Sequence, residues 1–325
     1  MIDKSEVKHS LALLDKTRQE ISKIVVDQHE VVNGLLKGLL SGGHVLVEGL
    51  PGLAKTLIVR TMATVSGCQF NRIQFTADLL PSDIIGITSY EKSRGFYTIK
   101  GPVFSHFILA DEINRAPPKV QAALLESMQE GQVTIGGKSY ALPQPFFVFA
   151  TENPIETLGV YPLPEAQIDR FLFKVYIQYP SLSAEVQILQ KNITLTKFND
   201  YSIKPILNPG KILHLQRLVK EVYVKDHVMK YIITLIDSTR NPEHYSLKYG
   251  KYIQIGAGPR GSIGLYIGAK AHAFLQGRTY VTPQDVKDVA LDVLRHRILV
   301  NYEGQANAIK SEMIIEELLK KIKPP

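Results

Sequence analysis

A strand, a glycine-bearing turn, a Lys-Thr pair and a helix follow one another at residues 44–63, and this order constrains the fold more than anything else in the chain. His44-Val45-Leu46-Val47 is an apolar run, Glu48-Gly49-Leu50-Pro51-Gly52-Leu53-Ala54-Lys55-Thr56 follows it, and apolar residues recur at helical spacing from Leu57 to Ala63. Such a segment folds as a phosphate cradle, because the glycines let backbone N–H groups converge on one anion at a helix start. Lys55 can neutralise the β- and γ-phosphates, and the Thr56 hydroxyl can ligate Mg²⁺. Gly49, Leu50, Pro51, Gly52, Leu53, Ala54, Lys55 and Thr56 are therefore expected to bind a nucleoside triphosphate. Ala54 stands where the general pattern has glycine. Its position reads as already entering the helix, where alanine is tolerated. The competing reading is a tight turn that carries a lysine by coincidence.

A chain of 325 residues can form one large or two medium domains with a substantial core. It has no apolar run of about 20 residues and no signal-peptide pattern at its polar start, which favours a cytoplasmic protein without membrane insertion. The single cysteine, Cys68, allows no intramolecular disulfide, and the nine histidines are too scattered to announce a metal cluster. The net charge of +7 is spread along the chain, with one short basic cluster at Lys320-Lys321-Ile322-Lys323, so charge alone does not imply a nucleic-acid partner. Asn192-Ile193-Thr194 matches a glycosylation acceptor and, without a secretory signal, reads as chance.

Helical patterns precede the phosphate turn, from about Ser5 to Val25 and from Glu30 to Ser41, the second closed by Gly42-Gly43. After the first strand come four more short apolar runs, at 69–75, 107–110, 146–150 and 171–175, mostly separated by helical patterns. Strands alternating with helices predict an α/β fold with a mostly parallel five-stranded sheet covered on both faces. Beyond about Ser181 helical periodicity takes over, near 183–194, 210–221, 226–239, 261–276 and 283–297, the last opening on Thr282-Pro283. The expected organisation is an α/β nucleotide core at 1–180 and a smaller all-helical domain at 181–325, divided near Pro180.

The run Phe107-Ile108-Leu109-Ala110 ends in Asp111-Glu112. An acid at a strand tip can hold Mg²⁺ through its water shell, the expected task of Asp111. The next acid, Glu112, can orient and deprotonate the water that attacks the γ-phosphate. Alone, an Asp-Glu pair after a strand is more often a surface turn. Its place some 55 residues after a phosphate turn favours the catalytic reading. The strand at 146–150 leads to Thr151-Glu152-Asn153-Pro154. There Asn153 either hydrogen-bonds the lytic water or the γ-phosphate, or caps the turn before Pro154.

Four motifs in this order carry a family resemblance: Gly49 to Thr56, Asp111-Glu112-Ile113-Asn114-Arg115-Ala116-Pro117-Pro118, Ala150 to Pro154, and Leu163-Pro164-Glu165-Ala166-Gln167-Ile168-Asp169-Arg170-Phe171. Together they resemble the MoxR family of AAA+ ATPases, from about Val25 to Arg297. The resemblance implies a P-loop AAA+ core with a helical lid, ATP and Mg²⁺ as ligands, and assembly into a ring, usually a hexamer. It implies a chaperone-like remodelling or cofactor-insertion role, often beside a von Willebrand factor A-domain protein. Residue by residue, Asn153 matches the polar sensor, and Arg170 matches the arginine finger that reaches a neighbouring subunit's nucleotide. For Arg170 the plainer alternative is an ion pair with Asp169 or Glu165. Gly256-Ala257-Gly258-Pro259-Arg260-Gly261 spells G-x-G-x-x-G, but the helical sequence after it excludes a dinucleotide turn. In the family this segment is the second sensor, with Arg260 directed at the γ-phosphate. Gly258 and Gly261 depart from the usual serine and alanine.

Two hairpins are expected, at 87–90 with 96–99 and at 132–135 with 138–142, the latter turning at Gly136-Gly137. They match the helix-2 insert and pre-sensor hairpin of this AAA+ branch, and either face a pore with Phe96, Tyr97 or Lys138 on a client or pack subunits together. Val25-Val26-Asp27-Gln28 resembles the segment beside the adenine, with simple core packing the equal alternative for Val25 and Val26. Two alternatives to a remodelling ATPase stand at this point: a nucleic-acid motor of the helix-2-insert branch and a nucleotide-gated binding switch.

Overall fold

The computed structural model describes residues 4–50, 52–93, 95–153, 159–191 and 198–324. Pro51, Arg94, Pro154 and the Asn192-Ile193-Thr194 match lie outside them. Two helices, α1 (Lys4–Ser22) and α2 (His29–Ser41), lead into β1 (Val45–Glu48), α3 (Lys55–Val65), β2 (Phe70–Gln74) and a short α4 (Pro81–Ile85). Then follow β3 (Gly86–Glu91), β4 (Gly95–Lys100), β5 (Phe107–Asp111), α5 (Pro118–Glu130), β6 (Gln132–Ile135), β7 (Lys138–Ala141), β8 (Phe147–Glu152), α6 (Glu165–Ile168) and β9 (Phe173–Tyr176).

The five apolar runs become one parallel sheet in the order β2-β5-β8-β1-β9. Its central strands β5, β8 and β1 are apolar on both faces because both are covered. Along β1 and β5 alternate residues enter opposite cores: Val45, Val47, Phe107 and Leu109 on one side, Leu46, Ile108 and Ala110 on the other. The start of β1 is pinned by the buried imidazole of His44. Its Nδ1 accepts the Val148 amide proton at 3.1 Å, and its Nε2 faces the Met128 carbonyl at 3.1 Å. Burial pushes its pKa down to about 4, so the ring stays neutral and carries its proton on Nε2.

The remaining elements are α7 (Leu182–Gln190), α8 (Pro209–Glu221), α9 (Asp226–Arg240), β10 (Ile253–Ile255), α10 (Pro259–Leu275), α11 (Pro283–Leu294), β11 (Leu299–Val300), α12 (Tyr302–Ala306) and α13 (Ser311–Lys321). This half is helical but not wholly so, since β10 and β11 pair antiparallel. The α11 start holds as read, with the Asp285 carboxylate accepting the Thr282 amide proton at 2.7 Å. One apolar cluster runs from Val45, Val47 and Phe173 of the sheet to Leu235, Phe274, Val289 and Leu318 of these helices. The helices are thereby fixed against one face of the sheet.

Both hairpins form, β3 with β4 and β6 with β7. Gly136 and Gly137 have φ of 56° and 79°, the left-handed pair that a two-residue turn between twisted strands requires. The hairpins touch through Thr98 Oγ1 and Tyr140 Oη at 2.8 Å. Tyr90 and Phe96 stack with ring centroids 5.0 Å apart, yet Phe96 remains 79% exposed.

Candidate functional site

Because all five strands are parallel, their C-terminal ends share one edge, and the phosphate turn, Asp111-Glu112 and Asn153 all lie along it. Lys55 opens α3 and is buried, and its Nζ donates to the Gly49 carbonyl at 2.8 Å. Thr56 is half-buried in the same first turn. Gly52 has φ +82°. Ala54 departs from expectation: it is not yet helical but sits at φ 56°, ψ 25°, the left-handed N-cap of α3. Alanine there is strained by contact of its Cβ with the adjoining carbonyl. Ala54→Gly is therefore expected to stabilise the fold by about 1 kcal/mol, read as a higher denaturant midpoint; a lower midpoint would refute the strain.

The acids are held in a closed hydrogen-bonded circuit. Asp111 is 7% exposed at the end of β5. Its Oδ2 accepts from Arg72 Nε at 3.0 Å and Nη2 at 2.7 Å, and its Oδ1 accepts the Thr151 hydroxyl at 2.7 Å. Thr151 Oγ1 in turn accepts the Glu112 amide proton at 2.8 Å. Glu112 takes φ 57°, and its Oε2 accepts from Gln74 Nε2 at 2.8 Å and Arg115 Nη1 at 3.1 Å. Arg72 Nη2 also donates to Gln74 Oε1, which closes the circuit. The sequence reading missed Arg72, Gln74 and Thr151. Their signal is the polar alternation Arg72-Ile73-Gln74 on the strand that pairs in register with the acid-bearing β5.

Asn153 is buried just beyond the tip of β8. Beside it Glu152 lies level with Glu48, whose Oε2 accepts from Lys174 Nζ at 2.6 Å. Burial raises the Glu152 pKa, against the pull of Lys174. On the far side of the phosphate turn a cavity of about 170 Å³ is lined by Val25, Val26, Gln28, Leu57, Pro180 and Ile188, among others. This is an apolar slot of a kind that takes a flat base, next to Gly52–Ala54.

The two arginines lie elsewhere. Phe173 pairs with Val45 at the start of both strands, and the Leu172 amide donates to the His44 carbonyl at 2.9 Å, so Arg170 belongs to the N-terminal edge of the sheet. The phosphate turn leaves the opposite edge, roughly 10 Å away along β1. Arg260 joins Arg170 rather than its own phosphate turn: both line one cleft of about 270 Å³ with Gly43, His44 and Met128. The expectation that Arg260 points at the γ-phosphate therefore does not hold for the phosphate turn of its own chain. Arg170 makes no ion pair among the described residues, because Asp169 is taken by Arg297 at 2.8 Å and Arg260 at 3.5 Å. The Nε of Arg170 is buried without a hydrogen-bond partner among the described residues. Arg297, another residue missed, pins this turn by donating to the Asp169, Phe171 and Leu172 carbonyls.

Far from both sites, His272, Asp285 and Asp288 bring ligand atoms within 4.8 Å, a grouping the sequence reading did not expect. Both oxygens of Asp285 already accept from Arg278, at 2.6 and 2.5 Å.

Oxygen donors suit Mg²⁺, and a strand-tip acid that already holds a guanidinium is a place that accepts positive charge. The residues present therefore fit a divalent cation beside a phosphate.

Residues 44–173 match the ATPase family associated with various cellular activities (AAA), and residues 250–318 match the AAA lid domain. The chain is 47% identical to the chaperone MoxR1 of Mycobacterium tuberculosis over 96% of its own length and 82% of that protein's. It is 31% identical to the MoxR protein of Paracoccus denitrificans, covering 90% and 91% of the two chains. A crystal structure from Cytophaga hutchinsonii, of a chain described as an ATPase, superposes with a TM-score of 0.93 at 46% identity, covering 99% of this chain and 97% of that one. The strand order, the acid-tipped β5 beside the phosphate turn and these likenesses agree: this chain belongs to the MoxR family of AAA+ ATPases.

Proposed function

We propose that this chain hydrolyses ATP to ADP and phosphate at a site shared between neighbouring copies in a ring, usually a hexamer in this family. The observation that carries the reading is the separation of its two halves. The phosphate turn and acids occupy one edge of the sheet, and Arg170 and Arg260 occupy the other. A head-to-tail neighbour would bring the arginines of one copy to the phosphates of the next, as a heterologous closed assembly requires. Glu112 takes the proton of the attacking water, Asn153 orients that water, and the two guanidinium groups meet the charge that develops on the γ-phosphate. Thr56, and Asp111 through water, would hold Mg²⁺, which would supply neutralisation of the phosphate charge.

The helix α7 supports assembly. It turns Ile188 to the base cavity but exposes Leu182, Val186 and Leu189 by 85%, 52% and 74%. We assign the core to 1–180 and the lid to 181–325. The cycle drives chaperone-like remodelling of a protein client or insertion of a cofactor, with the exposed Phe96, Tyr97 and Lys138 as client contacts and a von Willebrand factor A-domain protein as partner. No helix among the described residues is long and apolar enough to cross a membrane, and the proposed place of work is the cytoplasm. The test is specific ATPase activity against protein concentration. Activity per chain is expected to rise as copies assemble; a value independent of concentration down to the monomer would refute the shared site.

A further inference from the structure

We propose that Arg72 is the resident counter-cation of Asp111, which a divalent metal must displace on binding. The proposal rests on the reading that Asp111 holds the metal through water, and it adds what that site contains beforehand. Two consecutive acids at a buried strand tip repel one another unless positive charge is near. Arg72 supplies it, with Nε and Nη2 both on Asp111 Oδ2, while Oδ1 is held by the uncharged Thr151 hydroxyl. A guanidinium and a divalent cation cannot share that oxygen's surroundings without strong repulsion.

Arg72 and Arg297, two of the arginines that hold aspartates in this protein, are built differently. The Arg297 side chain is 3% exposed and tied to four carbonyls as well as Asp169, a fixed strut. The Arg72 side chain is 47% exposed on strand β2 and can swing into water. Its departure also withdraws the hydrogen bond to Gln74, whose amide holds Glu112. Metal arrival at Asp111 thereby loosens the proposed base at the moment the nucleotide is in place. Arg72 is in this sense a positioning residue.

The test is Mn²⁺ affinity of the full chain with saturating ADP, read by electron paramagnetic resonance without turnover. Arg72→Met is expected to tighten Mn²⁺ by about tenfold, whereas Arg72→Lys, which keeps the charge, stays near the parent value. Unchanged or weaker binding in Arg72→Met, with Asp111→Asn clearly weakened, overturns the role of Arg72 alone. Unchanged binding in Asp111→Asn removes the metal from Asp111, and the proposal falls with that reading. Should Arg72→Met not fold, the Arg72 Nε–H resonance of the unaltered chain decides. It is expected to shift when diamagnetic Mg²⁺ joins ADP, and a fixed resonance overturns the proposal.

Discussion

Replacing Glu112 with Gln is expected to lower ATP turnover by about 10²–10⁴-fold while leaving nucleotide binding within a few-fold of the parent. The amide keeps the size of the side chain and keeps an oxygen for the Gln74 and Arg115 donors that hold Glu112. Its backbone anchor to Thr151 is untouched. Only the capacity to take a proton disappears, so a loss confined to the chemical step identifies Glu112 as the base. Single-turnover hydrolysis alongside binding of a fluorescent ATP analogue separates the two quantities. Turnover within threefold of the parent would assign the proton to another group. A parallel loss of binding would mean that Glu112 holds the site together.

How much of this was legible in the sequence depends on which interactions are local. The phosphate turn, the acid-tipped strand and the sheet were readable because each is a contiguous pattern whose meaning does not depend on distant residues. Five apolar runs separated by helices can hardly avoid a covered parallel sheet. The Ala54 error arose one residue from a boundary: the pattern names the helix but not the residue whose φ makes the turn. Arg72, Gln74 and Thr151 stayed hidden because their partners come from adjacent strands, and register is set by packing rather than by local composition. The motif named Arg260 but not its position, beside Arg170 and Asp169 and away from the phosphate turn of its own chain. Its location follows from α10 lying against α2 and α11, and from Asp169 being shared with Arg297, none of which a linear motif encodes.

The two-edge layout makes the assignment of Arg170 separable from any structural role. Arg170→Ala is expected to reduce turnover by about 10³–10⁵-fold with nucleotide binding intact, since a guanidinium on the transferring phosphoryl group acts on the transition state. The buried Nε of Arg170 is a donor without an acceptor among the described residues, an arrangement that costs stability unless a neighbour supplies one. The decisive form of the experiment mixes Arg170→Ala chains with Glu112→Gln chains. The first has an intact acid edge but no finger, and the second has a finger but no base. In a randomly mixed head-to-tail ring about a quarter of the junctions pair an intact acid edge with an intact Arg170, so activity is expected to return from two inactive proteins. If Arg170 served the nucleotide of its own subunit, each chain would remain defective whatever stood beside it, and the mixture would stay as inactive as its parts. Recovery with the expected dependence on mixing ratio places the finger in trans; no recovery, in a mixture shown to co-assemble, places it in cis and removes the shared site.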